Sequence, residues 1–210
     1  MLRSYVVTIG LCGNALLLGF GLMGFEMLGS RYLNPYFGGG IETWAALIST
    51  VLAALMVGYF IGGYLVDRFP TAKLCGALVI AAAIYLGVLP ILIEPLIGMT
   101  IRLLGDQAEG VLTAAMVMFF APLSLIGTFS PFGVRLLLDA PERSGRVTGL
   151  VYGISTIGNI IGTLGTTFLL IPNVGIRHMT LLFAGVIAAC GVSLIFLDRF
   201  RPAGGPSTVS

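Results

Sequence analysis

Six long apolar runs follow one another along the chain, at residues 5–28, 43–66, 73–97, 111–138, 147–171 and 176–197. Each reaches or exceeds the ~20 residues that a helix needs to cross a hydrocarbon core about 30 Å thick. In lipid, every backbone N–H and C=O must find a partner inside the protein, so runs of this length are helices and not strands. The pattern predicts an all-α integral membrane protein with about six transmembrane helices, forming a single domain over residues 1–201. The Pro/Gly/Ser-rich tail, 202–210, is expected to be a disordered cytoplasmic segment. The fourth run is long and contains Pro122 and Pro131, which predicts a tilt or a kink. The first run has one basic residue before it, Arg3, and no small-x-small cleavage site after it. It therefore reads as a retained helix and not as a signal peptide.

The polar positions between the runs set an orientation. With the N-terminus in the cytoplasm, the inside segments hold eight basic residues: Arg3, Arg68, Lys73, Arg135, Arg143, Arg146, Arg199 and Arg201. The outside segments hold three, Arg31, Arg102 and Arg177. That asymmetry obeys the positive-inside rule and predicts that both termini are cytoplasmic; the membrane is expected to be a bacterial plasma membrane.

Composition agrees with a lipid solvent. Hydrophobic residues make up 57% of the chain and charged residues 10%, whereas a soluble domain carries about 25% charged residues. The net charge of +2 comes with no basic cluster interleaved with aromatics, which excludes a nucleic-acid partner. Cys12, Cys75 and Cys190 lie in or at the edge of apolar runs and show no metal-ligand spacing, so they read as small hydrophobes. With His178 as the only histidine, a histidine-based metal cluster or catalytic triad cannot be assembled within one chain. The formal G-x-G-x-x-G at Gly19 to Gly24 sits inside an apolar run. The dinucleotide fingerprint needs a strand–turn–helix setting, so no cofactor is expected.

Small residues recur at four-residue spacing: Ala54, Gly58 and Gly62 in the second run, and Gly149, Gly153, Gly158 and Gly162 in the fifth. Such stripes let a second backbone approach closely. Packing within one bundle explains them, and contact between two copies is the sharper alternative.

Few residues in the runs can do chemistry. Glu26 falls near the expected outer end of the first helix with Arg31 just beyond. Intramembrane carboxylates are costly and point to function, here the attraction of a cation. The plain alternative is a Glu26–Arg31 pair that closes the helix end. Glu94, before Pro95, is explained by interfacial solvation. Asn14 and Asn159 are expected to bond across helices. Asn159, with Ser155, Thr156 and Thr163 nearby, marks the most polar face of any run and the best candidate for a cavity wall. The candidate binding set is Glu26, Arg31, Tyr152, Ser155 and Asn159. Asp67 and Arg68 end the second run, and a carboxylate there is expected to favour the positive end of the third helix.

The segment from Gly24 to Gly38, which includes Glu26, Arg31, Asn34 and Pro35, resembles the first helix and loop of the membrane region in fused MFS/spermidine-synthase-like proteins. The resemblance continues through Trp44, Leu52 to Gly63, Asp67-Arg68, Phe129 to Arg135, Ser144-Gly145-Arg146, Tyr152 to Gly162, and Leu170-Ile171-Pro172 with Gly175. It runs in order over nearly the whole chain. It implies half of a major-facilitator bundle, built from two inverted three-helix repeats. It also implies an association with an aminopropyltransferase-like Rossmann domain, for which no sequence is expected within these 210 residues.

Three functions are therefore expected to compete. The first is a membrane subunit that anchors a separate aminopropyltransferase-like protein through Asp67, Arg68, Arg135, Arg143 and Arg146, or that passes a polyamine-like cation. The second is a self-sufficient homodimeric transporter. The third is a membrane-embedded enzyme, which the lack of a nucleophile–base pair disfavours.

Overall fold

The computed structural model describes residues 2–138 and 143–200. Among them, every element is helical. Six spans are long and apolar enough to cross a membrane. They are α1 (Leu2–Phe37), α2 (Ile41–Arg68), α3 (Ala72–Leu104), α4 (Ala108–Leu137), α5 (Ser144–Asn173) and α6 (Ile176–Leu197). A short 3-10 turn, Asp198–Phe200, follows α6. The chain is an integral membrane protein by length and composition of its helices. The tail from 202 to 210, whose disorder was expected, lies outside the described residues.

Two helices outrun their apolar segments. α1 continues through Arg31 to Phe37, and α3 continues past Ile97 through Arg102 to Leu104. Hydropathy falls where a helix nears headgroups, but its backbone ladder goes on until a turn residue ends it. After α1 that residue is Gly38, at φ +75°, whose N–H donates to Asn34 O at 2.9 Å and whose carbonyl accepts from Thr43 Oγ1 at 2.8 Å. Gly105, at φ +78°, ends α3 in the same left-handed region.

Three helix pairs build the bundle. α1 runs parallel to α5, α2 runs parallel to α4, and α3 runs antiparallel to α6. Glycines decide how closely the pairs approach. A Cβ on Gly58 would strike Ser124 O of α4, and one on Gly62 would lie 2.7 Å from Thr128 Cα. Gly158 and Gly162 of α5 press likewise on the α1 backbone at Leu16 and Phe20. Gly76 of α3 and Gly191 of α6 meet near the end where α2 turns into α3. Ala54 is fully buried in α2. Gly149 and Gly153 have nothing within 4 Å, so the N-terminal half of the α5 stripe is not used inside the bundle.

The expected irregularity of α4 takes two forms. A π turn, Met116–Phe120, precedes Pro122, and the helix breaks at Thr128 ahead of Pro131. Proline has no N–H and crowds the carbonyl four residues back; widening the turn relieves the crowding. The carbonyl of Val117, five residues before Pro122, accepts instead from the Tyr85 hydroxyl of α3. α5 repeats the device, with a π turn at Thr166–Leu170 before Pro172.

One role read from sequence is corrected. Asp67 belongs to the last turn of α2 and does not serve the start of α3. Thr71 is the N-cap of α3 through its side chain, and Asp198, just past α6, accepts from Ala72 N at 2.9 Å. A carboxylate does complement that helix end, but it arrives from 126 residues away in sequence.

Candidate functional site

Glu26 is the central polar feature of the bundle. It lies about three helical turns short of the end of α1 and is only 6% exposed. This corrects its expected place near the end of the first helix, because α1 extends well beyond its apolar run. The neighbours of Glu26 along α1 define what surrounds this level. Phe25 packs on Phe119 of the α4 π turn, with ring centroids 5.0 Å apart. Gly24 faces Phe183 of α6 and Thr166, which opens the α5 π turn. Gly29 accommodates the Phe119 ring. Both π turns therefore flank the level of the carboxylate.

The Glu26–Arg31 pair does not form. Five positions on a helix correspond to about 140° of rotation, and Arg31 is exposed while Glu26 is buried. Among the described residues, the Glu26 carboxyl has neither a hydrogen bond nor an ion pair. The side chains of Thr50 and Thr166, buried in α2 and α5, also leave their hydroxyl oxygens without partners.

One to two turns away on α1, Leu22, Gly19 and Leu18 line a cavity of about 40 Å³. Ser155 and Asn159 of α5 form its second wall, Leu55 and Tyr59 of α2 its third, and Ile126, Gly127, Phe129 and Ser130 of α4 its fourth. Gly19 is essential to this arrangement, since a Cβ there would meet Ser155 O and lie 2.9 Å from Asn159 Oδ1. Asn159 Oδ1 is buried and unpartnered among the described residues. Thr156 and Thr163 spend their hydroxyls on the carbonyls of Tyr152 and Asn159, one turn back in their own helix. Asn14 behaves differently, donating to Gly10 O at 2.7 Å and to Ser193 Oγ of α6 at 3.1 Å. It is a cross-helix tie.

Ser155 and Asn159 share the cavity, whereas Tyr152 lies outside it. The Tyr152 ring meets that of Tyr59 edge-on, 6.3 Å between centroids. Tyr152 also borders a larger groove of about 310 Å³ with Asp67, Arg135, Val66, Val134 and Leu138. Arg68 stacks over Tyr64 at 4.8 Å, and Arg143 and Arg146 are exposed at the start of α5. Tyr59 and Ser130 are lining residues that the sequence reading passed over as functional. Each sits in a motif quoted above, but only the α2–α4 crossing turns both toward Asn159. Among the described residues, no group of three or more His, Cys, Asp or Glu side chains could hold a metal ion.

No protein-family model, no curated protein and no solved structure matches the chain.

Proposed function

We propose that this protein is the membrane unit of a spermidine-synthase-like system and passes a small organic cation of polyamine type across a plasma membrane, with both its termini cytoplasmic. The observation that carries the reading is Glu26, an unpartnered carboxyl buried deep in a membrane helix. A buried charge is expensive unless paired, and a transported ammonium group is a partner that arrives only with substrate.

The helix pairing supports a half-facilitator architecture. Exchanging α1–α3 with α4–α6 carries the contact of α2 on α4 onto that of α5 on α1. Gly58 against Ser124 and Gly62 against Thr128 then correspond to Gly158 against Leu16 and Gly162 against Phe20. This equivalence is what two inverted three-helix repeats require. A second reading, a homodimer that rebuilds a twelve-helix arrangement, is favoured by α5. That helix is the least buried of the six spans and also the least apolar, the reverse of what a lipid-facing helix needs.

The test uses proteoliposomes and labelled putrescine and spermidine. Glu26→Gln keeps the shape of the side chain and removes its charge. It is expected to abolish amine binding and uptake, and Arg31→Gln is expected to leave both intact. Parent-like binding by a folded Glu26→Gln protein would refute the site, and a parent that binds no amine would refute the substrate class.

A further inference from the structure

The cavity lined by Leu22, one turn along α1 from Glu26, lies on a seam. On one side stands the α1–α5 pair, locked by Gly158 and Gly162; on the other stands the α2–α4 pair, locked by Gly58 and Gly62. Polar groups face the cavity from both sides, Ser155 and Asn159 from the first pair and Tyr59 and Ser130 from the second. None of these four makes a side-chain hydrogen bond across the seam, and the buried Oδ1 of Asn159 is left without a donor. A buried amide oxygen is costly to leave unsatisfied, and native proteins satisfy such groups with ordered water when the space allows. A water needs roughly 10–15 Å³ of cavity and two to four polar partners. This cavity has about 40 Å³ and four candidate partners.

We propose that the cavity is a built water site, holding at least one ordered water that donates to Asn159 Oδ1 and bridges it to the hydroxyls of Tyr59 and Ser130. The two glycine-locked pairs are then joined across the seam by solvent instead of by direct side-chain bonds. An apolar seam of this size would be dry and would resist separation. A hydrated one lets the pairs exchange partners without stranding a polar group. The cavity is too small for a diamine, so this ligand is distinct from the cation proposed for Glu26, and the water site stands whether or not that cation binds.

Radiolytic footprinting of the intact protein in lipid nanodiscs, with mixing into ¹⁸O water, reads the site directly. Hydroxyl radicals made from a bound water oxidise the side chains beside it. Phe129 lines the cavity and is buried at 4% exposure, and Phe119 and Phe183, buried at 0%, lie away from it. The expected result is oxidation of Phe129 but not of Phe119 or Phe183, with ¹⁸O incorporated more slowly there than at the exposed Tyr36. Asn159→Leu, which replaces the acceptor with apolar volume, should remove the Phe129 signal. If Phe129 in the parent is no more oxidised than Phe119 and Phe183, the cavity is dry and the proposal fails. Exchange as fast as at Tyr36 also overturns it, because the water is then bulk solvent. A Phe129 signal that survives in folded Asn159→Leu removes Asn159 as the holder of the water and overturns the assignment.

Discussion

The crossing of α2 on α4 makes a quantitative prediction for Gly62→Ala. The new methyl group would lie 2.7 Å from Thr128 Cα, 2.8 Å from Thr128 O and 2.8 Å from Pro131 Cγ. Ordinary contact begins at 3.4 Å, so the helices must part by about 0.7 Å, the difference between 3.4 and 2.7. Two of the three opposing atoms are backbone and the third is a proline ring, so no side chain can swing away. A gap of roughly 0.5–1 Å forfeits a quarter to a half of the dispersion energy at each facing atom pair, and overpacking of this kind costs about 1–3 kcal/mol. Alanine also gains about 1 kcal/mol over glycine in helix propensity. The control for that gain is Gly153→Ala, inside α5, where a Cβ meets nothing within 4 Å. For a chain of this size, 1 kcal/mol moves Tm by about 2–4 °C. Gly62→Ala should therefore melt about 2–12 °C below Gly153→Ala in the same detergent, as read by a thiol-independent unfolding assay. Gly158→Ala, placed equivalently against Leu16 O on the other pair, should fall with Gly62→Ala. Equal melting of all three variants would refute the argument that these glycines set the helix approach.

Two further outcomes follow from single hydrogen bonds. Asp198→Ala removes the acceptor of Ala72 N and should lower stability by about 1 kcal/mol; Asp198→Asn keeps an oxygen there and should stay near the parent. An Asp198→Ala protein with parental Tm would show that the bond contributes nothing. Tyr85→Phe strands the Val117 carbonyl inside the α4 π turn and should cost about 1–3 kcal/mol. Its thermal unfolding should show this as a lower Tm, and an unchanged Tm would mean that the carbonyl finds another donor.

Much of the architecture is readable from local pattern. Apolar length predicts each of the six spans, because lipid solvates the whole of a helix and demands that its backbone pair internally. The same logic misjudges ends. Arg31 and Asn34 lower hydropathy without breaking the α1 ladder, so Glu26 reads as nearer the helix end than it is. The stripe at Gly58 and Gly62 is legible as a surface for close approach, yet the equal spacing of Gly149 and Gly153 meets no partner. Spacing identifies a smooth face but not what lies against it.

The sequence by itself determined the solvent, the helix count and the small set of polar residues, since these depend on composition and on distances along one helix. Tertiary structure alone decided which of those residues meet. Glu26 and Arg31 are close in sequence but about 140° apart on the helix, and they do not pair. Asp198 and Ala72 are 126 positions apart and share a hydrogen bond. Tyr59, Ser130 and Asn159 come from three helices and surround one cavity because glycines let two parallel pairs close to backbone contact. The physical reason is that intrahelical forces set each rod, while the rods' rotation and pairing depend on steric fit between faces that no single segment contains.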